Sequence, residues 1–160
     1  MTREEQIQKD LEMVQQNGYA LRFVKEQTPE ICMAAVQQNG LALQYAEEQS
    51  SELCMAAVQQ NGLALFYVKE QTPELCMAAV QRNAYALLYV KEQTPELCAE
   101  AVKNDPDAWE FVAEDLKEEV KALLDNENSL EDKVKEAKEI NARQALLAED
   151  KERVTDKLEK

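Results

Sequence analysis

Apolar and polar positions along this chain repeat with a period of 22 residues. The consensus is an Asn-Gly-x-Ala-Leu run, then a Gln-Thr-Pro segment and then Ala-Ala-Val-Gln, and each of these three segments occurs in three of the four units. Four such units begin at Asn17, Asn39, Asn61 and Asn83. A period of this length is typical of proteins built from stacked structural repeats. The sequence therefore predicts an all-α fold, a short α-solenoid, right-handed or superhelical, of 22-residue helix-turn-helix repeats with a long C-terminal helix.

Each unit contains two short helical patterns. In the second full unit, residues 41–48 are expected to form a first helix of about two turns, and residues 52–60 a second. Thr72-Pro73 shows how the second helix begins, with Thr as the N-cap and Pro at the first helical position. Gly40 is expected to end the preceding helix in the left-handed conformation of a C-terminal cap.

Helices this short are marginal in water, so the units must stabilise one another by stacking. Four sets of equivalent apolar residues are expected to pack between neighbouring units. These columns are Val14, Val36, Val58, Val80 and Val102; Ala20, Ala42, Ala64, Ala86 and Ala108; Leu21, Leu43, Leu65, Leu87 and Trp109; and Phe23, Tyr45, Tyr67, Tyr89 and Phe111.

Departures from the repeat divide the chain into four segments. Residues 1–16 match only the second helix and carry Asp10 and Glu12 in place of Cys and Ala, which indicates a polar N-terminal cap. Residues 17–104 are the four repeats, and residues 105–128 are a degenerate, acidic fifth. Residues 129–160 are expected to form a charged helix from an N-cap at Ser129 to about Lys157.

The C-terminal helix has few apolar residues, although Ile140, Leu147 and Val154 are spaced seven apart. That spacing is compatible with a coiled-coil seam and hence with a dimer. The alternatives are a monomer whose last helix folds back on the end of the solenoid or projects into solvent.

The segment from Ala34 to Ala46 reads AAVQQNGLALQYA. It resembles the short helical repeats, roughly AAVxQNGxALxYAS, of a bacterial family of unknown function. Arrays of those repeats occur in bacterial, intracellular-pathogen effector and large-virus proteins. The resemblance covers about residues 11–112 and implies a helical-repeat fold without a defined activity.

Charge narrows the choice of partners. The formal net charge is −14, and residues 105–128 hold nine acidic residues against Lys117 and Lys121, which gives −7. An acidic surface disfavours direct binding to nucleic acid and favours a protein partner with a basic surface. No apolar run approaches the roughly 18 residues that span a bilayer, and no secretory leader pattern is visible, so a cytoplasmic location without membrane contact is expected.

Nothing in the sequence indicates an enzyme, a cofactor or a metal centre. The chain has no His, and no Gly-rich phosphate loop or CxxC pair is present, so no catalytic residue is assigned. The cysteines are spaced by whole repeats, which predicts a ladder of small buried side chains rather than disulfides or zinc ligands. They are Cys32, Cys54, Cys76 and Cys98.

One column varies while its neighbours do not, and it is predicted to face solvent and bind a partner. Its members are Arg22, Gln44, Phe66 and Leu88, followed by Glu110 in the fifth unit. Two large apolar residues in consecutive units form a contiguous patch of the kind that marks an interaction site. The alternative is that the C-terminal helix covers Phe66 and Leu88.

The first functional hypothesis is a non-enzymatic repeat protein that binds and modulates another protein machine, as a bacterial or phage-borne factor. The second is an acidic inhibitor of a nucleic-acid-binding defence protein, a nucleic-acid mimic of the anti-CRISPR kind. The acidic surface for that hypothesis is Glu110, Glu114, Asp115, Glu118 and Glu119. The third is a structural spacer or a homo-oligomer.

Overall fold

The structure, a computed structural model, describes residues 1–159, and no strand occurs among them. The chain forms two compact units, Met1–Val120 and Lys121–Lys160. Within the described residues, α-helices alternate with 3₁₀ helices at the predicted period. The all-α prediction, the helix-turn-helix repeats and the long C-terminal helix are confirmed.

Six α-helices occur in residues 1–159. They are α1 (Arg3–Gln16), α2 (Pro29–Gln38), α3 (Ser51–Gln60), α4 (Pro73–Arg82), α5 (Pro95–Asn104) and α6 (Lys117–Leu158). The 3₁₀ helices between them are Gly18–Phe23, Gly40–Tyr45, Gly62–Tyr67, Ala84–Tyr89, Pro106–Phe111 and Glu114–Leu116. Each α-helix from α1 to α5 packs on its neighbour in the series, and the five longer 3₁₀ helices do the same. The repeats therefore stack in register within the unit Met1–Val120.

The starts of the second helices follow the predicted chemistry. Thr72 is the N-cap of α4, and its side chain accepts a hydrogen bond from the backbone amide of Leu75 at 3.2 Å. Ser50 takes the same role in α3, accepting from the amide of Leu53 at 3.1 Å. These hydroxyls satisfy amide groups that the first helical turn leaves without a partner.

The first helix of each unit differs from the prediction. Residues 41–48 were expected to be α-helical, but the helix is a 3₁₀ helix, Gly40–Tyr45. The Asn39 side chain accepts from the amide of Leu41 at 3.0 Å, so the asparagine is an N-cap of this helix. The amide of Ala46 closes the helix on the carbonyl of Leu43 at 3.1 Å. Six residues is long for a 3₁₀ helix, and hydrogen bonds from outside it hold both ends, at the Leu41 amide and at the Tyr45 carbonyl.

The prediction of left-handed glycine caps is wrong. None of the three glycines has a positive φ. Gly40 is required for close packing instead, because a Cβ at that position would lie 2.4 Å from the carbonyl oxygen of Ala57 in the next repeat. Gly18 and Gly62 have equivalent neighbours. Glycine therefore permits the repeats to approach one another and does not serve to reverse the chain.

Most of the predicted columns form the core. Leu21, Leu43, Leu65 and Leu87 are completely buried, and the alanine and valine columns are largely buried too. The N-terminal cap departs in one respect, since Asp10 is buried and not solvated. Its carboxylate accepts a hydrogen bond from Gln6 Nε2 at 2.8 Å.

The C-terminal helix begins twelve residues earlier than predicted. It starts at Lys117, so Ser129 lies inside the helix and is not its N-cap. Residues 117–128 contain no Gly or Pro, and the asparagines at 126 and 128 lower helix propensity without breaking a helix. Within residues 1–159, no helix combines the length and the apolar character needed to cross a bilayer.

Candidate partner-binding site

The predicted partner-binding residues lie at one equivalent position of successive 3₁₀ helices. Arg22, Gln44, Phe66 and Leu88 each precede the last residue of their helix, and all four are exposed. Phe66 is 61% exposed and Leu88 is 57% exposed. Because the 3₁₀ helices stack on one another, the structure places these side chains in one row. We call this row the partner face.

The apolar part of the partner face is held in place by aromatic contacts. The Phe66 ring packs edge to face on Tyr67 of its own repeat, with ring centroids 5.0 Å apart. It makes a second edge contact, at 5.1 Å, with Tyr89 of the next repeat. Such contacts restrict the rotamers of an exposed side chain, which lowers the entropy lost when a partner covers it.

The aromatic column beside this face is less buried than predicted. Phe23 is 65% exposed, whereas Tyr45, Tyr67, Tyr89 and Phe111 are half-buried. Phe23 belongs to the first full repeat, and no 3₁₀ helix precedes it to cover its ring. Arg22 instead places its guanidinium 4.5 Å from the centre of the Phe23 ring.

Sequence reasoning missed two members of this surface. Phe23 was assigned to packing between units, and Tyr85 was not considered, although it is 41% exposed and contacts Phe111 at 5.5 Å. Tyr85 replaces the Leu63 of the previous unit, which is the signal that could have revealed it. The column holds either tyrosine or leucine, as Tyr19, Leu41, Leu63 and Tyr85, and this variation indicates a surface position.

The electrostatic environment changes along the array. The pKa of the Tyr85 hydroxyl is raised above its ordinary value, chiefly by the negative charge of Asp105, which opposes phenolate formation. Burial of the hydroxyl and the charges of Asp107 and Glu110 act in the same direction. At the other end, Arg3 donates to the Glu26 carboxylate, with Nε 2.9 Å from Oε1. The partner face therefore begins with a basic residue, Arg22, and is followed, beyond Leu88, by the acidic fifth unit.

The five acidic residues of the second hypothesis are all exposed. Glu110 lies in the 3₁₀ helix Pro106–Phe111, Glu114 and Asp115 lie in Glu114–Leu116, and Glu118 and Glu119 lie in the first turn of α6. Glu114 forms an ion pair with Lys117 at 2.9 Å. Carboxylates in a first helical turn are stabilised by the helix dipole, which gives Glu118 and Glu119 a structural role in α6.

The four cysteines are buried free thiols, as predicted. Burial raises the pKa of each thiol, and it raises the pKa of Cys98 to about 11. These thiols therefore stay protonated at neutral pH. Among residues 1–159, no group of three or more Cys, Asp or Glu residues is arranged to hold a metal ion.

A glutamine that sequence reasoning missed joins each repeat to the next. Gln49 Nε2 donates to the Tyr67 carbonyl at 2.7 Å, while its Oε1 accepts from the Lys69 amide at 3.0 Å. The same oxygen lies 3.6 Å from Cys54 Sγ. Gln27, Gln71 and Gln93 make the equivalent contacts. The signal was available, since Gln precedes Thr-Pro or Ser-Ser in every full unit.

These bridging glutamines act on the partner face through the backbone. Each one binds the C-terminal end of the following 3₁₀ helix, directly after the exposed residue of that repeat. The bridge fixes the end of Gly62–Tyr67, which carries Phe66, relative to the repeat before it. The spacing of the exposed side chains along the row thus depends both on these interior hydrogen bonds and on apolar packing between repeats.

Clefts open between consecutive Thr-Pro or Ser-Ser loops. One of about 420 Å³ is lined by Met33, Glu47 and Glu52, among others. Its equivalent two repeats on has about 330 Å³ and is lined by Met77, Lys69 and Lys91. The methionines are half-buried at these clefts. The first cleft is lined by glutamates and the second mainly by lysines, so the two clefts do not share the chemistry of a common ligand.

Comparison with known proteins gives one family. A family model described as Domain of unknown function (DUF4116) matches the chain three times in overlapping registers, at residues 11–50, 28–72 and 50–94. The matched span lies within the stacked repeats and ends in the fourth of them. Neither the curated proteins nor the solved structures contain a match to this chain.

Proposed function

We propose a function for this chain, which belongs to the family described as Domain of unknown function (DUF4116). The repeats form a non-enzymatic scaffold that binds another protein through the partner face of Arg22, Gln44, Phe66 and Leu88. Binding modulates the machine to which that protein belongs, and a bacterial or phage-borne source fits the resemblance of the repeats.

The observation that carries this proposal is the exposure of two large apolar side chains in consecutive repeats. Phe66 and Leu88 are more than half exposed, although burying either would be favourable by roughly 1.5 to 3 kcal/mol. Phe23 and Tyr85 are further exposed aromatic side chains in the same series of 3₁₀ helices. Contiguous surface of this kind supports a role in protein recognition, and aromatic anchors commonly dominate such interfaces.

The rigid backbone of the row supports the same role. Each exposed residue follows a buried leucine, which is Leu65 for Phe66 and Leu87 for Leu88. An interface on such a scaffold loses little backbone entropy on binding. The net charge of −14 favours a partner with a basic rim around an apolar centre.

The test compares the proteins retained by the wild-type chain with those retained by the double variant Phe66→Ala/Leu88→Ala. Affinity capture from the source cells with quantitative mass spectrometry should show a partner retained by the wild type and lost by the double variant. Gln59→Ala, an exposed substitution in α3 outside the row, is the matched control and should retain the partner. Equal retention by all three chains would remove the partner face from the proposal.

A second candidate function has its own observation. Residues 105–128 contain half of the net negative charge, and the five exposed carboxylates Glu110, Glu114, Asp115, Glu118 and Glu119 lie within ten residues of sequence. Such a surface supports binding in a basic groove, as a nucleic-acid mimic that inhibits a nucleic-acid-binding defence protein.

The two candidates respond differently to salt and to mutation. Binding by the acidic surface should weaken steeply as ionic strength rises and when the five carboxylates are changed to amides. Binding by the partner face should depend weakly on salt and strongly on Phe66→Ala/Leu88→Ala. Titration calorimetry of a captured partner at two salt concentrations separates them.

A further inference from the structure

We propose that α6 associates with α6 of a second copy of this chain, as an antiparallel coiled coil over residues 133–158. This self-association is independent of the partner face, because it uses only the C-terminal unit. It is therefore a second binding activity, directed at the chain itself.

The C-terminal unit exposes a row of large apolar side chains. Ile140, Leu147 and Val154 are 47%, 62% and 58% exposed, and Leu158 is 82% exposed. A helix that presents large aliphatic residues every seven positions along one face is stabilised by covering them with another apolar surface. The sequence of the helix itself indicates which surface covers them.

The apolar residues follow a heptad repeat. Ile140, Leu147 and Val154 occupy one seam position, which is position d of the heptad abcdefg. The companion position a then holds Ala137, Gln144, Lys151 and Leu158. Small and polar residues at position a exclude a tight parallel dimer, because Lys151 would meet Lys151 of the second copy in the seam.

The charges beside the seam also depend on orientation. One flank, position g, holds Glu136, Arg143, Asp150 and Lys157, whereas the other flank, position e, is uncharged. In a parallel pair each g flank faces the e flank of the other helix, so no opposite charges would meet. In an antiparallel pair the two g flanks face each other, and every charge on this flank faces another.

The charge sequence selects one antiparallel register. With Arg143 opposite Asp150 of the second copy, Glu136 faces Lys157, and all contacts on this flank join opposite charges. Sliding one helix by a heptad in either direction brings Arg143 against Arg143 or Asp150 against Asp150. Like charges in those positions oppose association. The pattern therefore specifies a single pairing.

The same register gives acceptable packing along the seam. Ala137 faces Val154 and Gln144 faces Leu147 of the second copy, so each layer joins a smaller or polar residue to an aliphatic one. Ile140 faces Lys151, whose methylene stem can cover the isoleucine while its ammonium group reaches water. The two lysines are thereby kept apart.

Charge reversal tests the register in the full chain. Sedimentation equilibrium should show a dimer for the wild type and association about tenfold weaker or more for Arg143→Glu, since a symmetric pair loses two attractions and gains two repulsions. Arg143→Glu/Asp150→Arg should restore the dimer, because the swapped charges pair again. Arg153→Glu makes the same charge change outside both flanks and should leave the dimer intact.

Cross-linking tests the orientation. In the proposed register residue 133 faces residue 158, so a mixture of Lys133→Cys chains with Leu158→Cys chains should form disulfide-linked dimers under mild oxidation. Each variant alone should stay unlinked, and the buried native thiols should remain unlinked in the wild type.

Three results would overturn the proposal. They are a wild-type monomer throughout a dilution series, self-linking of either cysteine variant alone, or an unchanged dimer in Arg143→Glu. The double variant Phe66→Ala/Leu88→Ala should dimerise normally, so failure here is distinguishable from failure of the partner face.

Discussion

At the scale of single residues, hydrogen bonds to the backbone of the next repeat complement apolar packing. Each bridging glutamine satisfies a carbonyl and an amide at the end of a 3₁₀ helix, as Gln49 does for Tyr67 and Lys69. The polar ladder fixes a distance between repeats that leucine and alanine packing alone would leave adjustable. It also provides an acceptor for the buried Cys54 thiol.

Replacing Gln49 with alanine should therefore cost more than replacing an exposed glutamine. The partly buried Tyr67 carbonyl and the more exposed Lys69 amide lose their partner, so the free energy of unfolding should fall by about 1 to 3 kcal/mol. Gln59→Ala removes the same side chain from an exposed helix position and should change stability by less than about 0.5 kcal/mol. Urea unfolding of both variants measures the difference, and equal midpoints would show that the bridge contributes nothing.

At the scale of elements, helix type and helix limits depend on what surrounds each segment. The first helix of each unit has the apolar pattern of an α-helix but is only six residues long, as in Gly40–Tyr45. Its amide groups are capped by Asn39 and its end is bound by the preceding repeat, so it closes as a 3₁₀ helix. By contrast, α6 continues through a Ser-containing segment because no neighbouring group or helix-breaking residue stops it.

The extent of α6 leads to a mutational prediction. If Ser129 is an interior residue, Ser129→Ala should leave stability unchanged or raise helix content slightly, because alanine has the higher helix propensity. If Ser129 were an N-cap, the same change would cost about 1 kcal/mol.

Thr72→Ala is the matched control for this measurement, since Thr72 caps α4. It should lower the free energy of unfolding by about 0.5 to 2 kcal/mol. Circular dichroism with thermal unfolding measures both variants. A loss of helix in Ser129→Ala comparable to that in Thr72→Ala would contradict the continuous helix.

At the scale of the molecule, the repeat array is a series of equivalent interfaces. Each α-helix from α2 to α4 packs between the helices before and after it, and so do the 3₁₀ helices between the end repeats. Stability in such an array is approximately a sum over repeats and their contacts. The glycines at 18, 40 and 62 set how closely consecutive units approach.

This equivalence predicts that a whole repeat can be removed. Deleting residues 39–60 joins Gln38 to Asn61, which recreates a native junction because Asn61 is the counterpart of Asn39. The shortened chain should unfold cooperatively at a lower urea concentration, since one interface is lost.

Deleting residues 39–49 is the control, because it removes half a period and brings unlike surfaces together. That chain should lose cooperative unfolding and most of its helical signal. Similar behaviour of the two deletions would contradict stacking in register.

Several features could be predicted from the sequence because the same local pattern occurs in every unit. The period, the α-helical class, the N-caps at Thr72 and Ser50 and the burial of the cysteines all depend on short-range chemistry that repetition makes visible. The exposed position of Phe66 followed from its variation among constant neighbours. Membership of the repeat family rests on the same pattern.

Other features were decided only by tertiary structure, because they depend on residues about 20 positions away in the next repeat. Gly40 is glycine because Ala57 approaches it, and not because the chain turns there. Gln49 is informative only once its partners in the following repeat are seen. Phe23 is exposed because the array ends beside it, which a column of aromatic letters does not reveal. Local pattern thus determined what each unit is, whereas contacts between units determined how its residues are used.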